Sequence, residues 1–166
     1  MHTARRILLP ILLLMAALTA SAQHTKDFVE KFCEQHSGDS SIQSLTLSRQ
    51  MIEAYAAQTA EADTASVLPI NKLMAEAEGM RIVTGKGDDS EQYMAEAIEI
   101  LRKYPKLFSH YTDIGDVKIY VRRQGKAHIA EVLMLSRPDD GPFVMMNVVG
   151  TFTEDLVKQF AGKARQ

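Results

Sequence analysis

Residues 131–150 read EVLMLSRPDDGPFVMMNVVG. Two apolar runs flank the segment RPDDGP, in which each residue type suits a turn: proline presets φ, aspartate bonds to nearby backbone, and glycine accepts positive φ. A calcium loop needs about six or more oxygen ligands, whereas this segment offers two adjacent carboxylates, Asp139 and Asp140. The stretch therefore predicts a β-hairpin, with strands at 127–135 and 143–149.

The segments on either side extend this hairpin into a larger sheet. Apolar residues alternate with polar or amphipathic ones over 117–122, which predicts a strand with one solvated face. The turn at 124–126 joins that strand to the hairpin. Two further strands are predicted at 41–47 and 80–85.

Helical periodicity and capping residues predict helices between and after these strands. The first two are an amphipathic helix at 27–36 and a helix capped by Ser48, with Met51, Ile52 and Tyr55 inward. The third is capped by Ser66, has Val67, Ile70, Met74 and Ala77 inward, and ends at Gly79. The longest follows a capping box of Asp88 and Glu91, and the last starts near Thr153, with Leu156, Val157 and Phe160 inward. This order predicts an α+β domain over 23–166: helices on a largely antiparallel sheet of about five strands, ending in a three-strand meander and a helix.

The N-terminus has the pattern of a secretory signal peptide. Arg5 and Arg6 precede an uncharged apolar stretch at 7–20, and the small residues Ala20 and Ala22 occupy the positions that signal peptidase prefers. The stretch is too short to span a bilayer comfortably. We expect cleavage after Ala22 and export to the periplasm or the exterior, with no stable membrane span in the mature chain.

Composition excludes several classes of function. The net charge of the whole chain is -2, and no basic cluster is longer than the pair Arg122-Arg123, so the sequence offers no patch for nucleic acid. A single cysteine cannot form an internal disulfide. The sequence contains no Gly-x-Ser-x-Gly, P-loop or dinucleotide-binding motif, and it predicts no cofactor.

The chain resembles a family of exported bacterial proteins named only as domain of unknown function 4252 (DUF4252). The resemblance covers the order of elements over 24–163. It rests most on MRIVTG at 80–85, DVKIYVRR at 116–123, and EVLMLSRPDDGPFVMMNVVGTFTEDL at 131–156. The family has no established activity, so the resemblance implies a location and a fold, with a possible role in envelope signalling. Some members are lipoproteins, whereas this sequence lacks the anchoring cysteine.

Glu131 is the first candidate for chemistry. Ile129, Leu133 and Leu135 are its expected neighbours on one face of a strand, and a carboxylate in an apolar setting can serve as a general acid or base. The alternative is a structural glutamate, paired across the hairpin with Lys118 or Arg122.

Cys33 and His36 are the second candidate, because a spacing of three lets both face one ligand on a helix. A zinc site needs at least about three protein donors, and His24, His110 and His128 have no characteristic spacing to add one. We therefore predict a core cysteine and no metal site.

Three methionines suggest a binding surface. Met134, Met145 and Met146 lie on strands that are apolar on both faces, and flexible methionine surfaces suit partner or apolar-ligand recognition. The alternative is that the domain's own helices cover them. Together these features favour a non-catalytic binding or signalling-accessory module, whose partner is an envelope protein or an apolar ligand. The alternative function is a small hydrolase or metal-dependent enzyme using Glu131 or the Cys33-His36 pair.

Overall fold

A computed structural model describes residues 27–59, 68–103, 108–139 and 141–163. The helices in this part of the chain are α1 (Asp27–Gln35), α2 (Arg49–Thr59), α3 (Leu68–Ala75), α4 (Ser90–Lys103) and α5 (Glu154–Lys163). The strands are β1 (Ile42–Ser48), β2 (Ala77–Gly85), β3 (Ser109–Ile114), β4 (Val117–Gln124), β5 (His128–Ser136) and β6 (Phe143–Thr153). The signal-peptide prediction, over 1–22, lies outside the described residues.

The six strands form one antiparallel sheet in the order β1-β2-β6-β5-β4-β3. The hairpin of β5 and β6 lies at its centre, which explains why both strands are apolar at successive positions. The predicted α+β class, the antiparallel sheet and the closing meander and helix are confirmed. The strand count differs from the expected five because β3, with sequence SHYTDI, has only one buried residue and no strong apolar alternation.

The RPDDGP segment closes the central hairpin as a turn. The backbone N–H of Gly141 donates to the carbonyl of Pro138 over 2.9 Å. A Cβ on residue 141 would come within 2.8 Å of the Pro138 ring, so the turn requires glycine for space. Asp140 lies outside the described residues.

One face of the sheet is covered by α2, α3 and α5. A single buried cluster joins this face to the helices through Ile52, Leu73, Val132, Val148, Phe152 and Val157, among others. Thr153 caps α5 by accepting the Leu156 N–H at 3.2 Å, and Val157 is fully buried, both as the sequence predicts. Burial of this cluster supplies the main drive for folding.

Helix α4 packs on the other face of the sheet. Its Tyr93 ring lies 6.3 Å from that of Phe143 and leaves no room for a Cβ at Gly85. Tyr93, Ala97 and Leu101 are buried, as helical periodicity predicts. Helices therefore cover both sides of the central hairpin, with α2, α3 and α5 on one face and α4 on the other.

Two helix predictions are wrong in detail. Helix α3 ends at Ala75 rather than Gly79, because residues from Ala77 onward pair with β6 as part of β2. Helix α2 buries Ile52, but Met51 and Tyr55 point outward. The predicted cap Ser66 and the inward Val67 lie outside the described residues.

The chain divides into two units, with the boundary after Ser37. In the first unit, α1 buries Phe28, Val29 and Phe32, the face that its periodicity predicts. The second unit contains the sheet and the remaining helices. In the described part of the chain, no helix has the length and apolar character needed to span a membrane.

Candidate functional site

Glu131 lies at the centre of a polar network on the sheet. Its side chain is only 3% exposed and pairs across the strands with Arg122, one of the two partners that the sequence suggests. The Arg122 Nε donates to Glu131 Oε1 over 2.8 Å, and a second guanidinium nitrogen reaches the same oxygen. The Asn147 amide donates to Oε2 over 3.1 Å. Both carboxylate oxygens thus accept hydrogen bonds, which favours a structural role.

The surroundings of Glu131 differ from the prediction at one residue. The pairing register shifts between Ile129 and Glu131, against both β4 and β6. Ile129 consequently joins Val132 in the cluster under the helices, on the opposite face from Glu131. The prediction that Ile129 lies beside Glu131 is wrong. A bulge interrupts the alternation of side chains between the two faces of the strand.

The Glu131 network continues a polar row across the sheet. Arg81 is the register partner of both Thr46 and Asn147, on the two neighbouring strands. The Arg81 Nε donates to the Thr46 hydroxyl over 3.3 Å. Side-chain hydrogen bonds thus link β1 to β2 and link β6, β5 and β4, and Arg81 and Asn147 are register partners between the two groups, an arrangement suited to fixing strand register.

Cys33 and His36 lie on and just after α1. Cys33, for which the sequence predicts a core position, is partly exposed. The His36 ring packs against Phe32, with centroids 4.7 Å apart. No group of three or more potential metal ligands lies together within the described ranges.

The three methionines of the predicted binding surface do not share a face. Met134 and Met146 are register partners in the cluster under the helices. Met145 is fully buried on the other face, opposite Val83 and Leu135. Met134 and Met145 are buried, whereas Met146 is partly exposed.

An exposed apolar surface lies instead along β1 and α2. Leu45 is 53% exposed, Met51 49% and Tyr55 55%, and we call these three residues the β1–α2 patch. Leu45 belongs to an edge strand, and the other two belong to the helix that follows it directly. Sequence reasoning missed this patch. The pattern of Met51, Ile52 and Tyr55 predicts one inward helix face, and among these three the structure buries only Ile52.

The two edges of the sheet are protected very differently. Strand β3 has a register shift after His110 and two ion pairs at Asp113, from His110 at 2.8 Å and Lys118 at 3.3 Å. These pairs hold the pKa of the Asp113 carboxyl below its ordinary value, with the His110 hydrogen bond the largest cause. Strand β1, IQSLTLS, has no charge, no proline and no register shift over seven residues. Bulges and charges block strand addition, so β1 is the open edge.

A buried hydrogen bond fixes the start of β1. Asp39 accepts the Tyr93 hydroxyl at 2.6 Å and the Ser41 N–H at 2.8 Å, and the Lys86 N–H donates to the Ser41 carbonyl. The bond to Asp39, with burial as the second cause, raises the pKa of Tyr93 to about 12. This contact joins the long helix to the segment that leads into β1 and holds the start of the strand in place.

Comparison with known proteins identifies the family but no close relative. Neither a curated protein nor a solved structure matches the chain. A family model described as "Domain of unknown function (DUF4252)" matches residues 36–160, which include every strand of the sheet and most of the closing helix. The chain therefore belongs to the DUF4252 family.

Proposed function

We propose that this protein is an exported, non-catalytic binding module that captures an extended segment of an envelope protein along β1. The observation that carries the proposal is the contrast between the two sheet edges. Charges and a register shift protect β3 against strand addition, whereas β1 presents seven uncharged residues beside an apolar patch. An extended segment can add to such an edge through main-chain hydrogen bonds.

The patch defines the chemistry of the partner. Leu45 and Leu47 point to the face of the sheet that α2, α3 and α5 cover, and Leu47 packs against the buried cluster there. Met51 and Tyr55 continue the apolar surface onto α2. A partner strand with apolar side chains at every second position would bury its apolar face here. Since β1 is uncharged, a partner segment without charges fits best.

The N-terminal sequence supports an envelope location. Residues 1–22 have the basic start, apolar stretch and small residues of a signal peptide. The mature chain then starts at Gln23 and meets its partner outside the cytoplasm. Mass spectrometry of the protein from the envelope fraction should find Gln23 as the first residue, and an intact Met1 there would contradict export with cleavage.

Site-specific photocrosslinking in cells tests the binding site itself. A photoreactive amino acid at Leu45 should give one dominant adduct with another protein. The matched control is the same amino acid at Ser109, an exposed residue on the protected edge, which should give none. Tyr55→Lys should abolish the Leu45 adduct without changing the unfolding midpoint, because Tyr55 is largely exposed.

The alternative outcomes are distinct. Equal adducts from Leu45 and Ser109 would mean that no edge is preferred and would contradict the proposal. An adduct with the mass of two copies of this chain would assign the open edge to self-association instead. Clean recovery of the chain without any adduct would also exclude β1 as a partner site.

A further inference from the structure

A second surface feature lies away from β1, at the start of the longest helix. A cleft of about 580 Å³ separates the connection from β2 to α4 from the tip of the central hairpin. The connection contributes Lys86, Gly87, Asp88 and Ser90, and the hairpin contributes Arg137 and Gly141. The cleft therefore lies between the start of the longest helix and the turn of the central hairpin.

Among the described residues, the lining of this cleft carries more positive than negative charge. Lys86 and Arg137 supply two cations, and Asp88 supplies one carboxylate. Neither cation forms an ion pair with any residue that the structure describes. The two cations are thus available to an anion, in a chain whose net charge is negative.

Ser90 supplies an independent sign of a ligand. Its side chain lines the cleft although the residue is only 8% exposed. Its backbone N–H donates to the Gly87 carbonyl, and its hydroxyl makes no hydrogen bond within 27–59, 68–103, 108–139 and 141–163. The hydroxyl of this largely buried residue is therefore available to a group bound in the cleft.

The position of Ser90 favours an anion as that group. Ser90 is the first residue of α4, a helix of fourteen residues. The N-terminus of such a helix carries partial positive charge and N–H groups without intrahelical acceptors. Phosphate groups are recognised by donors of this kind: the N-terminus of a helix, a serine hydroxyl, a lysine and an arginine.

We infer that this cleft binds the phosphate group of a small phosphate monoester. Arg137 offers a planar pair of donors, Lys86 a compact charge, and Ser90 a hydroxyl to the phosphate oxygens. Asp88 is the carboxylate among the described lining residues, and it suits a hydroxyl on the organic part of the ligand. The volume leaves room for a phosphate with a short polar substituent. None of these residues belongs to the β1–α2 patch, so this site is independent of the proposed function.

Titration of the mature chain, residues 23–166, tests the inference. Inorganic phosphate and glycerol phosphate are added separately while amide shifts are followed by nuclear magnetic resonance. We expect saturable shifts at Gly87, Ser90 and Gly141 with both probes, at millimolar concentration or below. Glycerol phosphate should bind more tightly than inorganic phosphate, because its hydroxyls can reach Asp88.

Three variants and one control locate the binding. Lys86→Gln and Arg137→Gln should each weaken binding about tenfold, since each removes a charge-assisted hydrogen bond. Ser90→Ala should weaken it by a few fold. The control is Arg102→Gln, an exposed cation at the other end of α4, which should leave binding unchanged. Absence of saturable shifts, or equal weakening by Arg102→Gln, would overturn the inference.

A third probe distinguishes the source of the phosphate. Vesicles of phosphatidylcholine with added phosphatidate present the same group on a lipid surface. Binding that depends on Arg137 and on phosphatidate would assign the cleft to a lipid headgroup. Binding of glycerol phosphate alone would assign it to a soluble metabolite of that class, and binding of neither probe would exclude the site.

Discussion

Arg122 and Glu131 face each other across β4 and β5, and their side chains form a two-nitrogen ion pair on a largely buried carboxylate. The Arg122 side chain keeps 24% of its surface exposed, whereas Glu131 depends on Arg122 and Asn147 for its hydrogen bonds. Burying a carboxylate is costly unless such partners are present. The pair therefore fixes the register between β4 and β5.

Removing the charge of Glu131 should destabilise the fold. Glu131→Gln is expected to lower the free energy of unfolding by about 1–3 kcal/mol, because Arg122 loses its partner while the shape of the side chain is kept. Urea unfolding followed by circular dichroism measures the change. Glu78→Gln, at an exposed glutamate on β2, should alter stability very little. Equal stability of both variants and the wild type would mean that the ion pair has no structural role.

Gly85 should tolerate no side chain. A Cβ there would overlap the Tyr93 ring and come within 3.0 Å of Ile42, so Gly85→Ala is expected to cost about 1–3 kcal/mol through overpacking. Gly162→Ala is the matched control. It has open space around it on α5 and should leave stability unchanged or raise it by up to about 1 kcal/mol. Thermal unfolding of both variants measures whether their changes in stability have opposite signs. An unchanged stability in Gly85→Ala would contradict the packing of α4 described above.

Tyr93 should titrate later than an ordinary tyrosine. Its folded-state pKa of about 12 lies above the ordinary 10.0, because the neutral hydroxyl donates to Asp39. The folded state therefore favours the protonated form. This contribution to stability is complete below pH 10 and is lost as the pH rises through about 12. The ultraviolet difference titration between wild type and Tyr93→Phe isolates this group from the other tyrosines.

Asp39→Asn provides the control for that titration. Removing the charged acceptor should move the Tyr93 transition back toward its ordinary range, since the hydrogen bond to Asp39 is the largest cause of the shift. An unchanged transition in Asp39→Asn would instead assign the shift to burial alone. The same variant should loosen the start of β1, where Asp39 also accepts the Ser41 N–H.

Much of the sheet was predictable because its signals are local. The turn chemistry of RPDDGP and the alternation over 117–122 each specify a strand boundary without knowledge of the rest of the fold. The hairpin of β4 and β5 was expected to bring Lys118 or Arg122 to Glu131, and the register shift next to Arg122 decides for Arg122. Helix α5 was predictable for the same reason, since Thr153 caps it and its apolar periodicity is regular.

The remaining features depend on tertiary context. The bulge beside Glu131 moves Ile129 to the other face, and no residue type marks it in the sequence. Pairing with β6 takes Ala77 and Gly79 out of the predicted helix. The exposure of Leu45, Met51 and Tyr55 follows from the edge position of β1, which is a property of strand order and not of any single segment.

Hydrogen exchange on the complex tests the central claim, that β1 is the edge to which a partner adds. Backbone amides of an edge strand that point away from the sheet exchange readily, and a bound strand would protect them. With the partner identified by crosslinking at Leu45, β1 should gain protection while β3 stays unchanged, and Leu45→Lys should abolish the gain. Protection confined to β3, or to neither edge, would contradict the account.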